Sequence, residues 1–76
     1  MLIYGSMMCP DCVACCKDLD EAGTPYTFCE ISENLLYLKE FLKIRDTHTI
    51  FESIKAEGKI GIPCLLHDDG TVTLTW

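Results

Sequence analysis

The feature that most constrains this chain is a switch of period at its start. Met1-Leu2-Ile3-Tyr4 is a short apolar run stopped by Gly5, which reads as a buried strand. From Pro10 to Ala22 the pattern becomes helical. Pro10 suits a first helical position, where its missing N–H would be unpaired anyway. Cys12, Cys15, Cys16 and Leu19 form one stripe bordered by Ala22, while Lys17, Asp18 and Glu21 fall opposite, and Gly23 stops the helix. "PYTFCEI", from Pro25 to Ile31, then reads as a second strand. Strand, helix and strand in so few residues make a βαβ unit, which requires a parallel pair with a right-handed crossover.

The remainder extends that unit. Ser32 is placed to cap a second helix whose apolar face is Leu35, Leu38, Phe41 and Leu42, broken at Asp46-Thr47. Thr49 with Glu52 has capping-box spacing for a further short helix carrying Phe51 and Ile54, ended by Glu57-Gly58-Lys59. "IPCLLH" is a third strand, Asp68-Asp69-Gly70 a tight turn, and "TVTLTW" a fourth strand. In that last strand Val72, Leu74 and Trp76 alternate with Thr71, Thr73 and Thr75. The apolar row is expected to pack on a helix. The threonine face is expected to stay partly open, which makes it a candidate contact for a weak homodimer of an otherwise monomeric protein. The fold class is therefore α/β, one domain over residues 1–76, with a small mixed four-stranded sheet and packed helices.

Charge and hydropathy exclude several functions. The 76 residues carry a net charge of −6 with no basic run, which disfavours nucleic acid and anionic membranes as partners. No apolar stretch approaches the ~20 residues of a membrane span. The start lacks the charged segment and long apolar core of a signal peptide, so a cytoplasmic location is expected.

Six cysteines in this length admit a disulfide framework or a reactive site. Four are bunched at positions 9, 12, 15 and 16, too close together to staple distant segments, which favours the reactive site. Cys9 falls at the junction of strand and helix, where the unpaired N–H groups and helix dipole stabilise an anion. Such a place lowers a free thiol from ~8.5 toward the 3.5–7.5 range. Cys12 lies one turn further in, within reach of a mixed disulfide on Cys9. Cys9 is thus the candidate nucleophile and Cys12 the resolving thiol of a thiol–disulfide oxidoreductase. The alternative is a metal- or iron–sulfur-binding module using Cys9, Cys12 and Cys16, with Cys64 as a further ligand. Overlap of the two Cys-x-x-Cys spacings leaves no separated ligand knuckles for structural zinc. Cys15, Cys16 and Cys29 read as small buried residues. His48 and His67 read as solvent-facing, and Asp68 and Asp69 as turn residues.

Cys9-Pro10-Asp11-Cys12 after the first strand, with Gly61-Ile62-Pro63 ahead of the third, resembles the glutaredoxin family of the thioredoxin fold. The resemblance covers roughly residues 1–74. It implies a thioredoxin-like sheet and a cis-proline at Pro63 packed beside the two cysteines. It also implies that Ile62 offers backbone groups to an extended peptide or to glutathione, with Pro10 and Asp11 beside them in the substrate-binding set. No metal and no resident cofactor are implied. The partners implied are a protein disulfide or small thiol and a reductase that supplies electrons. Three departures bear on this. Met7 and Met8 stand where relatives carry a Lys before the first cysteine. Asp11 adds a negative charge beside the thiols and disfavours a thiolate. The family's closing helix, opening on Gly-Gly and an Asp, has no counterpart before Trp76, the helix being either lost or outside these residues. Lys43 and Arg45 are the cations of the second helical region, and nothing in the sequence places them at the site. Glutathione, with two carboxylates, is therefore expected to be a poor co-substrate.

Overall fold

The computed structural model describes residues 1–76 as an α/β fold in three layers. Strand β1 spans Leu2–Gly5, helix α1 Pro10–Glu21, β2 Thr27–Glu30, α2 Leu35–Thr47, α3 Glu52–Ala56, β3 Cys64–Leu66 and β4 Val72–Thr73. A single 3-10 turn, Thr49–Phe51, leads into α3. The sheet order is β2-β1-β3-β4. β1 pairs with β2 in parallel, Ile3 opposite Phe28, and with β3 antiparallel, Ile3 opposite Leu65. β4 is antiparallel to β3. No helix is long and apolar enough to cross a membrane.

Alternation along the strands divides the core in two. On one face Ile3 and Leu65 pack with Cys15 of α1, closed at the edges by Leu19, Tyr26 and Phe28. On the other face Tyr4, Cys29, Cys64 and Val72 pack against Phe41 of α2 and Phe51 before α3. The rings of Phe41 and Phe51 meet edge to face at 6.1 Å, the preferred arrangement of aromatic quadrupoles. Helices therefore cover both faces. At the β4 edge Thr71 and Thr75 remain exposed and Thr73 half-buried, so the threonine row stays partly open as expected.

Several local expectations are corrected for identifiable reasons. Ser32 does not cap α2. Asn34 does, accepting from the backbone N–H groups of Leu36 and Tyr37, while the Ser32 hydroxyl donates to Glu30. The buried face of α2 is Phe41 flanked by Tyr37, Leu38 and Ile44, and Leu35 projects into solvent at 74% exposure. The later start explains the shift, since Leu35 is then the first helical residue, short of the sheet. The Thr49–Glu52 capping box does not form, because the chain enters α3 through the 3-10 turn with no side-chain cap. His67 is half-buried rather than free, its Nε2 2.7 Å from the Thr73 hydroxyl across the β3–β4 pair. Regular pairing in β4 ends at Thr73, so Trp76 leaves the alternation and its indole N–H donates to Asp18 of α1.

Candidate functional site

Cys9 is the N-cap residue of α1, with extended backbone at φ −95° and ψ 120°. Its carbonyl accepts from the N–H groups of Cys12 and Val13, and its own N–H donates to Ser6. The sulfur is not spent on a capping hydrogen bond and is half-buried. Cys12, one turn on, is fully buried. Burial pushes its thiol up to about 12, against an opposing hydrogen bond from the Ser6 backbone, while the hydrogen-bonded Cys9 thiol adds to the rise. The two sulfurs are thus neighbours with different access, one open to solvent and one reachable through the first. All six cysteines are free thiols in this structure.

The loop that presents Cys9 is fixed from outside the Cys-x-x-Cys. The Glu30 carboxylate accepts from the Met7 N–H at 2.9 Å and from the Ser32 hydroxyl at 2.7 Å. These bonds hold it below the usual carboxylate range. The Ser32 hydroxyl lies 3.1 Å from that of buried Ser6, which also accepts from the Met8 N–H. The end of β2 therefore ties down residues 6–8, just ahead of Cys9. Nothing in the one-dimensional pattern marked Glu30 or Ser6; the signal was the pairing of two polar residues with a loop they reach only after β1 and β2 align in parallel.

Opposite Cys9 stands the loop before β3. The Ile62–Pro63 peptide bond is cis. Pro63 is buried, and no hydrogen bond within the chain uses the N–H or C=O of Ile62. Gly61 has φ +95°, and a β-carbon there would lie 2.6 Å from the Phe51 ring, so this position admits glycine alone. Arg45 of α2 clamps the loop, donating through Nε to the Ile60 carbonyl at 2.9 Å and through Nη2 to that of Lys59 at 2.8 Å. Sequence spacing left Arg45 unplaced, and the structure makes it the bracket of the loop.

Two grooves meet at Cys9. One, of about 620 Å³, is shared with Asp11, Lys59, Ile62, Pro63 and Trp76. The other, of about 570 Å³, runs toward α2 past Met8, Leu42 and Ile60. Cys9, Asp11, Ile62 and Pro63 are thus brought together. Pro10, exposed at the first turn of α1, lines neither groove. The remaining cysteines are dispersed. Cys15 faces Ile3 and Leu65, Cys29 and Cys64 lie on the opposite face of the sheet, and Cys16 is buried on α1. No three histidine, cysteine or acidic side chains converge as metal ligands.

An uncharacterized protein of Haemophilus influenzae is 37% identical to this chain over 73 residues, covering 96% of the chain and 85% of that protein. No family model and no solved structure matches the chain.

Proposed function

We propose that this chain, which belongs to one family with the Haemophilus influenzae protein, is a thiol–disulfide oxidoreductase built on a thioredoxin-like, glutaredoxin-type plan. The observation that carries the reading is the asymmetric pair: an accessible Cys9 at a helix start and a fully buried Cys12 one turn away, with Pro63 across the groove from Cys9.

The chemistry runs in two exchanges. The Cys9 thiolate attacks one sulfur of a substrate disulfide and bonds to it. The other substrate sulfur leaves as a thiolate and takes a proton. Cys12 then loses its proton, and its thiolate attacks Cys9 Sγ. A Cys9–Cys12 disulfide forms, and the second substrate thiolate departs. Two electrons and two protons pass from the protein dithiol to the substrate. An external dithiol reductant reverses the process on the protein.

Access assigns the roles, since a substrate reaches Cys9 without passing Cys12. Burial both hides the Cys12 thiol and raises it, which leaves the first exchange to Cys9. The unpaired backbone groups of Ile62 supply one donor and one acceptor for an extended substrate strand. The dispersal of Cys15, Cys16, Cys29 and Cys64 speaks against a clustered-thiolate metal centre.

The test is reduction of a model disulfide by the reduced protein, monitored anaerobically. Cys9→Ser abolishes the reaction. Near-normal turnover in Cys9→Ser overturns the proposal, and stoichiometric iron with visible absorption bands in the anaerobically purified protein supports the metal-binding alternative instead.

A further inference from the structure

The groove toward α2 differs in chemistry from its neighbour. Its floor is Leu38 and Phe41, and its rim is Met8, Leu42 and Ile60. The rim residues are 82%, 40% and 58% exposed, which is unusual for large apolar side chains grouped together. No acidic side chain lines it. The cation it contains, Arg45, is already turned to the carbonyls of Lys59 and Ile60. The other groove carries the charges of Asp11 and Lys59 and the edge of Trp76. Cys9 belongs to both. A chain laid across Cys9 therefore enters an almost wholly apolar trough on one side and a mixed one, carrying Asp11 and Lys59, on the other.

We infer that the Met8–Leu42–Ile60 groove is a specificity subsite for a bulky apolar side chain next to the attacked cysteine, so that the substrate is an extended segment of a disulfide-bonded protein with Leu, Phe or a similar residue beside that cysteine. The inference rests on the redox reading of Cys9 and adds to it the side-chain class. Continuity with the nucleophile selects the occupant, because whatever fills this groove lies against the sulfur that reacts. Its volume of about 570 Å³ falls within the roughly 300–1,000 Å³ of binding pockets, with room for more than one side chain. The apolar lining selects an apolar occupant, since Met8, Leu38, Phe41, Leu42 and Ile60 offer a polar group no hydrogen bonds in place of its hydration.

The experiment compares two short peptides that differ at the residues flanking their single cysteine, Leu in one and Asn in the other. Each cysteine is carried as a disulfide to 2-nitro-5-thiobenzoate. Attack of Cys9 on the peptide sulfur joins peptide to protein and releases the coloured thiolate. Rates are divided by those with free cysteine to remove intrinsic reactivity. The expected result for the wild type is a preference of at least about tenfold for the Leu peptide, the scale on which an apolar pocket discriminates. That ratio falls toward one in Leu42→Asn and in Met8→Gln; Met8 is exposed enough that its replacement spares the fold. It is unmoved in Leu36→Asn, an exposed α2 residue outside the groove. Cys9-dependent exchange with no preference overturns the subsite and leaves the redox reading standing. Exchange that persists in Cys9→Ser, or is absent with both peptides, overturns both. A homodimer in light scattering that Leu42→Asn dissociates reassigns the groove to a second copy of the chain and overturns the inference.

Discussion

The Cys12 sulfur lies against the backbone of Gly5. A β-carbon built on Gly5 would come within 2.7 Å of Cys12 Sγ and 3.3 Å of the Phe28 ring. The central strand thus gives up a side chain at the point where the Cys12 thiol is packed. Gly5→Ala is expected to cost about 1–3 kcal/mol by overpacking, and to shift the equilibrium between the dithiol and the Cys9–Cys12 disulfide. Urea denaturation reads the first effect, and titration against a dithiothreitol couple reads the second. Unchanged stability would show that Cys12 does not occupy this niche.

Three buried thiols make stability sensitive to alkali. Burial pushes Cys12 and Cys64 to about 12 and Cys15 to about 11, against an ordinary value of 9.0. The folded state holds these protons more tightly than the unfolded chain does. Their contribution is therefore fully present below pH 9 and is lost as pH rises through the interval from 9 to about 12. Denaturation of the reduced protein under argon at pH 7, 8 and 10.5 is expected to give similar stability at the first two and a clear drop at the third. A flat profile would contradict the burial of these groups as thiols.

Arg45 acts on the site through the loop it brackets. Arg45→Met keeps the apolar stem and removes both donations, with an expected cost of ~1–2 kcal/mol for charge-assisted bonds at a half-exposed position. Hydrogen exchange at the Lys59 amide, bonded to the Ile54 carbonyl, is expected to quicken. Arg45→Lys does not restore protection, because an ammonium lacks the planar fork that spans two carbonyls. Full protection in Arg45→Lys would show that charge alone holds the loop.

The same geometry bears on glutathione. Its two carboxylates find Arg45 committed to the loop and Lys59 paired with Glu57 at 2.8 Å, on a chain of net charge −6. Turnover on one protein disulfide is expected to be slow with glutathione and its reductase, and faster with a thioredoxin reductase system. Saturable turnover confined to the glutathione arm would contradict this while sparing the roles of Cys9 and Cys12.

Much of the frame was legible in the sequence because it rests on local period and punctuation. The run ending at Gly5, the proline at position 10 and the glycine at 23 place β1 and α1 within a residue or two of where they lie. Buried Cys12, Cys15 and Cys16 followed from one helical stripe. What was not legible depends on pairing across the fold. Ser32 has the chemistry of a helix cap, yet parallel pairing of β1 and β2 brings Ser6 to it and its hydroxyl serves the site loop instead. Arg45 is one of several charges on α2 until the return of the chain places the Lys59 and Ile60 carbonyls before it. The apolar groove joins residues 8, 42 and 60, whose adjacency no local pattern encodes.

The most direct test of the account is a trap. Cys12→Ser, mixed with a peptide disulfide and examined by intact mass and peptide mapping, is expected to carry one substrate thiol in disulfide linkage to Cys9. The wild type, treated alike, is expected to carry none and to weigh two hydrogens less than the dithiol, with Cys9 joined to Cys12. An adduct on another cysteine, or the same adduct formed by Cys9→Ser, would contradict it.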